Sequence, residues 1–333
     1  MKNSYLITGG TGSFGKAFLR KLLKQKNINR IVVYSRDELK QSELQEIYPK
    51  SKYPFLRFFL GDVRDLERLK VATEGVDILI HAAALKQVPS TEYNPFEAVK
   101  TNILGAQNVI SSCFENNVKR VVALSTDKAC APINLYGATK LCSDKLFISA
   151  NKIKGNREIR FSVVRYGNVF GSRGSVYPVF KNYNKKGYFP ITDRNMTRFN
   201  ITLEDGVNLV FDSIQKSFGS EIIIPKLRSF KIIDLAKSIN IKNKIKLIGL
   251  RPGEKIHEQM ISSSDSFSTL ETNNFYVILP PENKSAYKYY KKNYNAKSVK
   301  QGFEYSSGNN GKFLTVKEIQ QIIANEEKKI KKI

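Results

Sequence analysis

The chain has 333 residues, 41% hydrophobic and 11% aromatic, so it can form one large domain or two domains with full cores. This composition excludes a small peptide-like module and a mainly disordered or collagen-like chain. With 55 Lys+Arg against 30 Asp+Glu, the formal net charge of +25 invites a nucleic-acid interpretation. The cations are mostly lysines spread along the chain, however, whereas phosphate and base recognition favours arginine, so we expect no nucleic-acid partner.

Thiol and imidazole groups are scarce in the sequence. Three cysteines (Cys113, Cys130, Cys142) and two histidines (His81, His257) are too few and too scattered for a zinc site or a disulfide framework. The sequence therefore predicts no metal and a reducing compartment. It also contains no run of about 18 apolar residues, and we expect a free cytoplasmic protein without membrane contact.

Apolar strand-like runs alternate with helix-like stretches through the first half of the chain. Strands are predicted at 5–7, 31–34, 56–60, 76–80, 118–124 and 161–164, with a helix over 16–26. Repeated strand, helix, strand order predicts a parallel sheet covered on both faces. The predicted fold class is α/β, with a Rossmann-type doubly wound sheet.

After residue 166 the alternation of strands and helices ends, and loops that contain glycine and proline follow. A helix is predicted over 203–216, and residues 221–224 are expected to add a strand to the first sheet. The second domain is therefore predicted to be discontinuous. Residues 1–168 plus 199–225 would form the dinucleotide-binding domain, and 169–198 plus 226–333 a smaller α+β domain for the substrate.

A glycine-rich turn follows the first predicted strand and opens the first predicted helix. Its glycines permit a tight turn and a close approach of the backbone to a pyrophosphate, and the helix N-terminus supplies N–H donors. In this position, at the start of a βαβ series, the turn predicts a dinucleotide site. The predicted contacts are Gly9, Thr11, Gly12, Ser13, Phe14 and Gly15.

The residues after the second strand select between NADP and NAD. An acidic side chain there would bind the ribose 2′-hydroxyl of NAD. Ser35 and Arg36, assisted by Lys40, instead suit the 2′-phosphate of NADP, which is therefore favoured, while Asp37 keeps NAD open. The other predicted contacts of the cofactor are Asp37, Glu38, Leu39, Asp62, Val63 and Ala82.

Tyr136 and Lys140 are four residues apart and therefore lie on one face of a predicted helix. A phenol is a weak base at neutral pH, but a nearby ammonium and the positive nicotinamide ring favour its phenolate form. The pair follows a strand that ends in the residues STDK (125–128). This arrangement resembles the short-chain dehydrogenase/reductase superfamily, extended type.

Within that superfamily the chain resembles the configuration-inverting UDP-N-acetylglucosamine 4,6-dehydratases, over nearly its whole length. It departs from them at Gln87, where a histidine is expected, and at Cys130-Ala131, where Ala-Asn is more frequent. The matching strings are ITGGTGSFGK (7–16), YSRDELKQSE (34–43), GDVRDLERL (61–69), HAAALK (81–86), STDKA (125–129), PINLYGATK (132–140), RYGNV (165–169), GSRGSV (171–176), MTRF (196–199) and RPGEK (251–255).

The resemblance implies a reaction that begins with oxidation at C4 of the sugar. Tyr136, aided by Lys140, would take the 4-hydroxyl proton while C4 gives a hydride to NADP; water is then eliminated across C5 and C6, and the hydride returns to C6. Asp127 and Lys128 would supply the acid and the base of the elimination. Retaining relatives have a glutamate in the place of Lys128, which links this lysine to inversion at C5. As a base it would need a pKa lowered by burial or by Lys140.

The implied product is UDP-2-acetamido-2,6-dideoxy-β-L-arabino-hex-4-ulose. The resemblance makes this the first step of pseudaminic acid biosynthesis, which serves the glycosylation of flagellin and other surface molecules. It also implies a homo-oligomer built from dimers, up to a hexamer.

A UDP-sugar carries two phosphates, so its site needs cations and backbone donors. The glycine-rich segment 171–175 is expected to fold around the diphosphate, and arginines of the second half to bind it, while Glu254 accepts from a ribose hydroxyl. By resemblance alone, Lys86 would reach both cofactor and substrate, and Asn102 would hold the backbone near the nicotinamide. The predicted substrate contacts are Lys86, Lys128, Tyr136, Asn168, Val169, Arg173, Gly174, Ser175, Val176, Arg198, Arg251 and Glu254.

Three other functions stay open at this point. A UDP-hexose 4-epimerase shares the tyrosine and lysine but needs no acid/base pair at C5 and C6, so Asp127 and Lys128 argue against it. A non-catalytic NADP-binding regulator and a nucleic-acid binder are disfavoured by the intact Tyr136 and Lys140.

Overall fold

The structure is a computed structural model that describes residues 2–172 and 174–330. Its strands are β1 Asn3–Thr8, β2 Ile28–Ser35, β3 Leu56–Leu60, β4 Ile78–His81, β5 Arg120–Leu124, β6 Arg160–Val164, β7 Tyr188–Ile191, β8 Thr197–Asn200, β9 Ile222–Pro225, β10 Arg228–Lys231, β11 Lys244–Leu247, β12 Gln259–Ile261, β13 Thr269–Glu271, β14 Phe275–Ile278, β15 Lys297–Ser298 and β16 Tyr305–Ser306.

Helices connect most of these strands. They are α1 Ser13–Leu22, α2 Glu38–Ile47, α3 Leu66–Thr73, α4 Val88–Tyr93, α5 Pro95–Val99, α6 Gly105–Glu115, α7 Leu135–Ile153, α8 Val176–Asn184, α9 Leu203–Lys216, α10 Ile232–Ile239, α11 Lys284–Tyr294 and α12 Val316–Ile330. A π-helical turn, Lys100–Leu104, joins α5 to α6, and a 3₁₀ turn, Asp127–Ala129, follows β5. None of the described helices is long and apolar enough to cross a membrane.

The central sheet runs in the order β15-β13-β14-β9-β6-β5-β4-β1-β2-β3. From β3 to β9 all neighbouring strands are parallel, with the strand order of a doubly wound dinucleotide-binding sheet. Adjacent residues of one strand serve opposite faces: Leu6 packs into the core on one side of the sheet and Ile7 into the core on the other. The predicted α/β doubly wound class is therefore confirmed.

The strand predicted at 221–224 is β9, and it pairs with β6 inside the sheet. The predicted helix over 203–216 matches α9, whereas the helix predicted over 16–26 is α1, which spans Ser13–Leu22. It begins as soon as the turn ends, at the N-cap Gly12.

Three antiparallel strands extend the central sheet beyond β9, and the sequence assigned them to the other domain. The strand β14 pairs with β9, β13 pairs with β14, and β15 pairs with β13. The prediction that all of 226–333 belongs to the smaller unit is therefore wrong for residues 269–298. Buried Val277 and Tyr276 complete the sheet core there, which is a long-range pairing that local patterns do not reveal. The division into two domains otherwise stays a prediction.

The remaining part of the second half forms a smaller layer beside the C-terminal ends of the parallel strands. Its core joins α8, β7, α10 and α12 through Phe180, Phe189, Leu235 and Ile319, all nearly inaccessible to solvent. Two short pairs flank it: β7 with β11 in parallel and β8 with β10 antiparallel. The site described next lies between this layer and the sheet.

Candidate active site

A cavity of about 950 Å³ lies where the parallel strands end, between the sheet and the smaller layer. This edge is where ligands bind in open α/β sheets. The cavity brings together most of the predicted site residues, which come from opposite ends of the chain. Those in its lining are Gly9, Thr11, Gly12, Ser13, Phe14, Gly15, Ser35, Arg36, Asp37, Lys40, Asp62, Val63, Ala82, Lys86, Lys128, Tyr136, Lys140, Asn168, Val169, Gly174, Ser175, Val176, Arg198, Arg251 and Glu254.

Four predicted residues of the described part of the chain are not in this lining. Glu38 and Leu39 begin helix α2 and point elsewhere, with Leu39 72% exposed. Asn102 lies behind the cavity wall, where its amide bonds both the N–H and the C=O of Leu85 at 2.8 and 2.9 Å; it thereby holds the loop that presents Lys86. Asp127 is completely buried beneath Lys128. Arg173 lies outside the described residues.

The glycine-rich turn is shaped by close backbone approaches. Gly9 has a φ of +65°, and a Cβ there would lie 2.9 Å from the Ala83 nitrogen. A Cβ on Gly15 would lie 2.5 Å from the Gly10 Cα. The first N–H groups of α1 have no partner inside the helix and stand at the cavity. This cradle fits the pyrophosphate of a dinucleotide.

Thr8 joins the turn to the loop after β4. Its hydroxyl accepts from the N–H groups of Ala82 and Ala83 at 3.1 and 3.3 Å and lies 2.9 Å from Nδ1 of His81. Burial, aided by the charge of Lys140, lowers the pKa of His81 to about 3, so this ring is neutral. The histidine is thus a buried structural residue that precedes the cavity-lining loop.

The cations at the adenine end are already paired with carboxylates. Arg36 lies 3.4 Å from Oδ2 of Asp62, which also accepts from Nε of Arg64 at 2.9 Å. Asp37 caps helix α2 and forms an ion pair with Lys40. Burial opposes ionisation of Asp62, but its bonds with Arg64 and the charge of Arg36 keep its pKa below the ordinary value. Arg36 and Asp37 thus face one cavity end, and both NADP and NAD remain compatible with it.

The acid and base candidates stand on the 3₁₀ turn after β5, directly against helix α7. A Cβ on Gly137 would lie 2.1 Å from the Lys128 carbonyl oxygen, so only glycine allows this contact. The helix begins at Asn134, whose Oδ1 accepts from the Gly137 N–H at 2.8 Å. The close approach places Tyr136 beside Lys128, where both line the cavity.

Lys140 is buried, whereas Tyr136 lines the cavity and keeps part of its surface accessible to solvent. Burial raises the pKa of Tyr136 to about 12, although the charge of Lys128 and a hydrogen bond with Thr126 oppose this. The charge of Lys128 thus favours the phenolate, while the predicted contribution of Lys140 stays a prediction. Burial lowers the pKa of Lys140, with Asp144 opposing.

The expected fall in the pKa of Lys128 is wrong for the protein by itself. Burial does lower this pKa, but the charges of Asp127 and Glu258 outweigh burial and raise it above the ordinary value. The Lys128 ammonium lies 3.1 Å from Oδ1 of Asp127 and 3.0 Å from Oε1 of Glu258. Burial and the charge of Glu258 raise the pKa of Asp127, which favours its protonated form.

The predicted diphosphate arginines share one carboxylate. Glu254 lies 3.0 Å from Arg251 and 3.7 Å from Arg198, so its oxygens bind guanidinium groups and not only a ribose hydroxyl. Arg251 is exposed at the cavity mouth, whereas Arg198 is buried and donates to the carbonyl oxygens of Thr197 and Ile256 at 2.7 and 3.1 Å. The two cations therefore stand at different depths of one cavity.

The sequence prediction missed Glu258, which lines the cavity and is 2% exposed. It also left out Lys255, whose ammonium donates to the carbonyl oxygens of Cys130 and Ala131 at 2.8 and 2.7 Å. The only sequence signal for either was position: both lie in or just after the string RPGEK (251–255). His257, predicted to be structural, lies 2.8 Å from the Thr197 hydroxyl.

The doubly wound sheet, the glycine-rich cradle and the Tyr136–Lys140 pair at one cavity define a Rossmann-type fold of the short-chain dehydrogenase/reductase superfamily. The chain belongs to the family described as "Polysaccharide biosynthesis protein", whose model matches residues 5–280.

Individual relatives give a finer comparison. The chain is 53% identical over 332 residues to UDP-N-acetylglucosamine 4,6-dehydratase (inverting) of Campylobacter jejuni, covering 98% of both chains. It is 43% identical to a UDP-glucose 4-epimerase of Rickettsia canadensis over 82% of both. Among solved structures, Pen from Bacillus thuringiensis is 37% identical and superposes with a TM-score of 0.88 over 98% of both chains. The resemblance to inverting UDP-N-acetylglucosamine 4,6-dehydratases is thereby confirmed.

Proposed function

We propose that this chain is an inverting UDP-N-acetylglucosamine 4,6-dehydratase that uses NADP and acts at the entry to pseudaminic acid biosynthesis. The observation that supports it best is the placement of Tyr136 and Lys128 on one cavity wall, with Asp127 directly beneath. Oxidation at C4 needs only the tyrosine, whereas elimination across C5 and C6 also needs an acid and a base.

When bound, the nicotinamide dinucleotide supplies reversible hydride transfer and a positive ring next to Tyr136. Tyr136 accepts the proton of the 4-hydroxyl, and the charge of Lys128 lowers the cost of forming the phenolate, although burial keeps the pKa of Tyr136 above its ordinary value. Lys140, which is buried in the wall of the same cavity, aids Tyr136. A 4-keto sugar has an acidic C5–H, which the unoxidised sugar lacks.

Asp127 and Lys128 divide the elimination between them. The raised pKa of Asp127 favours the protonated carboxyl that an acid for the leaving 6-hydroxyl requires. Lys128 removes the C5 proton once it has lost a proton of its own, and delivery of a solvent-derived proton to the opposite face of C5 would invert this centre. Arg198 and Arg251 bind the diphosphate. Glu254 releases one of these two arginines, which is then free to bind the ligand.

The test is incubation with UDP-N-acetylglucosamine and NADP in heavy water, followed by NMR of the products. We expect a 4-keto-6-deoxy sugar with deuterium at C5 and inverted configuration. The matched variant Lys128→Ala should abolish dehydration while leaving NADP affinity unchanged. Full dehydration by this variant would remove Lys128 from the mechanism.

A UDP-hexose 4-epimerase is the second candidate, because relatives with 43% identity bear that name. The same experiment separates the two functions. An epimerase would return a C4 epimer without deuterium at C5 and without loss of the 6-hydroxyl, and that outcome would replace the proposal.

A further inference from the structure

Glu258 is a buried carboxylate that lines the cavity. The proposed acid and base, Asp127 and Lys128, leave it without an assigned role. Its Oε1 lies 3.0 Å from Nζ of Lys128 and 3.6 Å from Nε of Arg198. Its Oε2 has no hydrogen-bond partner among the described residues. A carboxylate is expensive to bury unless a cation compensates it, so this placement ties Glu258 to the two cations.

The contacts of Lys128 match the three donors of an ammonium ion. Its Nζ has three oxygen neighbours: Oδ1 of Asp127 at 3.1 Å, Oδ1 of Asn168 at 3.0 Å and Oε1 of Glu258 at 3.0 Å. A neutral amine has only two N–H groups and could not donate to all three. Glu258 thus completes a cage that fits the charged form of Lys128.

The backbone of Glu258 is fixed from a distant part of the chain. Its N–H donates to the Ser307 hydroxyl at 3.0 Å, and its C=O accepts from the Ser307 N–H at 2.7 Å. Ser307 is fully buried and its hydroxyl lies 2.7 Å from that of Thr197. Glu258 is therefore held at one place and does not adapt to Lys128 as a surface glutamate would.

Charged groups surround the Lys128–Glu258 pair on every side. Burial and the charge of Arg198 lower the pKa of Lys128, but the charges of Asp127 and Glu258 outweigh them and raise it. Burial raises the pKa of Glu258, but Lys128 and Arg198 outweigh it. The titratable or charged groups that face the pair are Asp127, Arg198, Lys255, Lys86 and Tyr136.

We propose that Glu258 is a positioning residue for the dehydration proposed above: it holds Lys128 at the cavity wall as an ammonium ion and so sets how readily Lys128 gives up a proton to act on C5. The inference rests on the proposed function for its purpose, but the charge state of Lys128 can be measured without turnover.

The test compares the wild type with Glu258→Gln, which keeps the shape and removes the charge. Each protein is labelled at pH 8 with a trace of acetic anhydride, and acetylation of Lys128 is followed by mass spectrometry. Only the neutral amine reacts, and one pKa unit changes its fraction tenfold, so Glu258→Gln should label at least about tenfold faster. Dehydration by this variant should then reach its half-maximal rate at a lower pH.

Lys140 is the internal reference: it lines the same cavity and is more enclosed than Lys128, and the carboxylate that acts on its pKa is Asp144. Its labelling should not change; equal acceleration at both lysines would indicate an opened cavity and overturn the proposal. Glu258→Asp, which keeps the charge, should label within about threefold of the wild type. Unchanged labelling in Glu258→Gln would also overturn the proposal. If labelling behaves as expected but the wild type forms no 4-keto product, the function fails while the role of Glu258 on Lys128 stands.

Discussion

The dinucleotide end of the cavity is shaped by backbone, whereas its sugar end is shaped by buried charge. At the first end, glycines bring the turn of β1 and α1 against the loop after β4, and the ion pairs there face solvent. At the second end, buried Glu258 lies against buried Arg198 and the partly buried Lys128. Sterics therefore limit substitution at one end and charge balance limits it at the other.

The largest expected effect is at the sugar end, in Arg198→Ala. Removing this buried guanidinium leaves Glu258 with one cation fewer and frees two backbone carbonyls, so the free energy of unfolding should fall by about 3 kcal/mol. Arg251→Ala is the matched control: its side chain is 69% exposed, and the loss should be under about 1 kcal/mol. Urea unfolding measures both. Equal losses of unfolding free energy in the two variants would show that the buried charge of Arg198 does not stabilise the sugar end.

Gly15→Ala makes the corresponding test at the dinucleotide end. The new Cβ would lie 2.5 Å from backbone atoms of Gly10, which cannot move aside as a side chain would. We expect a loss of about 2 kcal/mol in the free energy of unfolding and weaker dinucleotide binding, measured by urea unfolding and fluorescence titration. Gly206→Ala is the control, because its Cβ would meet nothing closer than 3.6 Å. That helical substitution should stabilise by about 0.5–1 kcal/mol. If Gly15→Ala changed neither the stability nor the dinucleotide affinity, the proposed steric clash with Gly10 would be contradicted.

Arg36→Ala should separate the two cofactors at the same end. The guanidinium is half exposed and pairs with Asp62 only at 3.4 Å, so it is available to a 2′-phosphate. We expect NADP affinity to fall about tenfold, as for loss of one exposed charge-assisted hydrogen bond, with NAD affinity unchanged. Titration with each cofactor checks this. Equal changes for both would mean that Arg36 does not read the 2′ position.

The smallest expected effect comes from Ala131→Gly, in the turn before α7. Ala131 has a φ of +42°, a left-handed conformation that is costly for alanine and free for glycine. The variant should raise the free energy of unfolding by about 0.5 kcal/mol, since the gain is partly offset by the flexible unfolded glycine. Ala129→Gly, at a buried position without positive φ, should destabilise instead. Thermal unfolding of both variants measures these changes. A lower stability in both variants would show that Ala131 is not strained.

These two ends also differ in how far the sequence could predict them. The turn of Gly9 and Gly15 is a local pattern between a strand and a helix, so its position follows from neighbouring residues. The order of the parallel strands follows in the same way from repeated strand and helix signals.

At the sugar end the decisive contacts join residues that are far apart in the chain. Nothing near Lys128 in the sequence shows that Glu258 will lie beside it, and Glu258 is one of the two carboxylates that raise the pKa of Lys128. The strands β13 and β14 were missed for a related reason, because their place is set by pairing with β9 and not by any local signal.

The hydrogen bonds between Ser307 and Glu258 have a consequence for folding during synthesis. The glycine-rich turn and its strands emerge from the ribosome early and can pair as soon as they appear. The carboxylate beside Lys128 stays unanchored until the last strand pair, β12 with β16, has formed. A nascent chain therefore acquires a dinucleotide cradle long before Glu258 is in place beside Lys128, and the site matures from its cofactor end toward its sugar end.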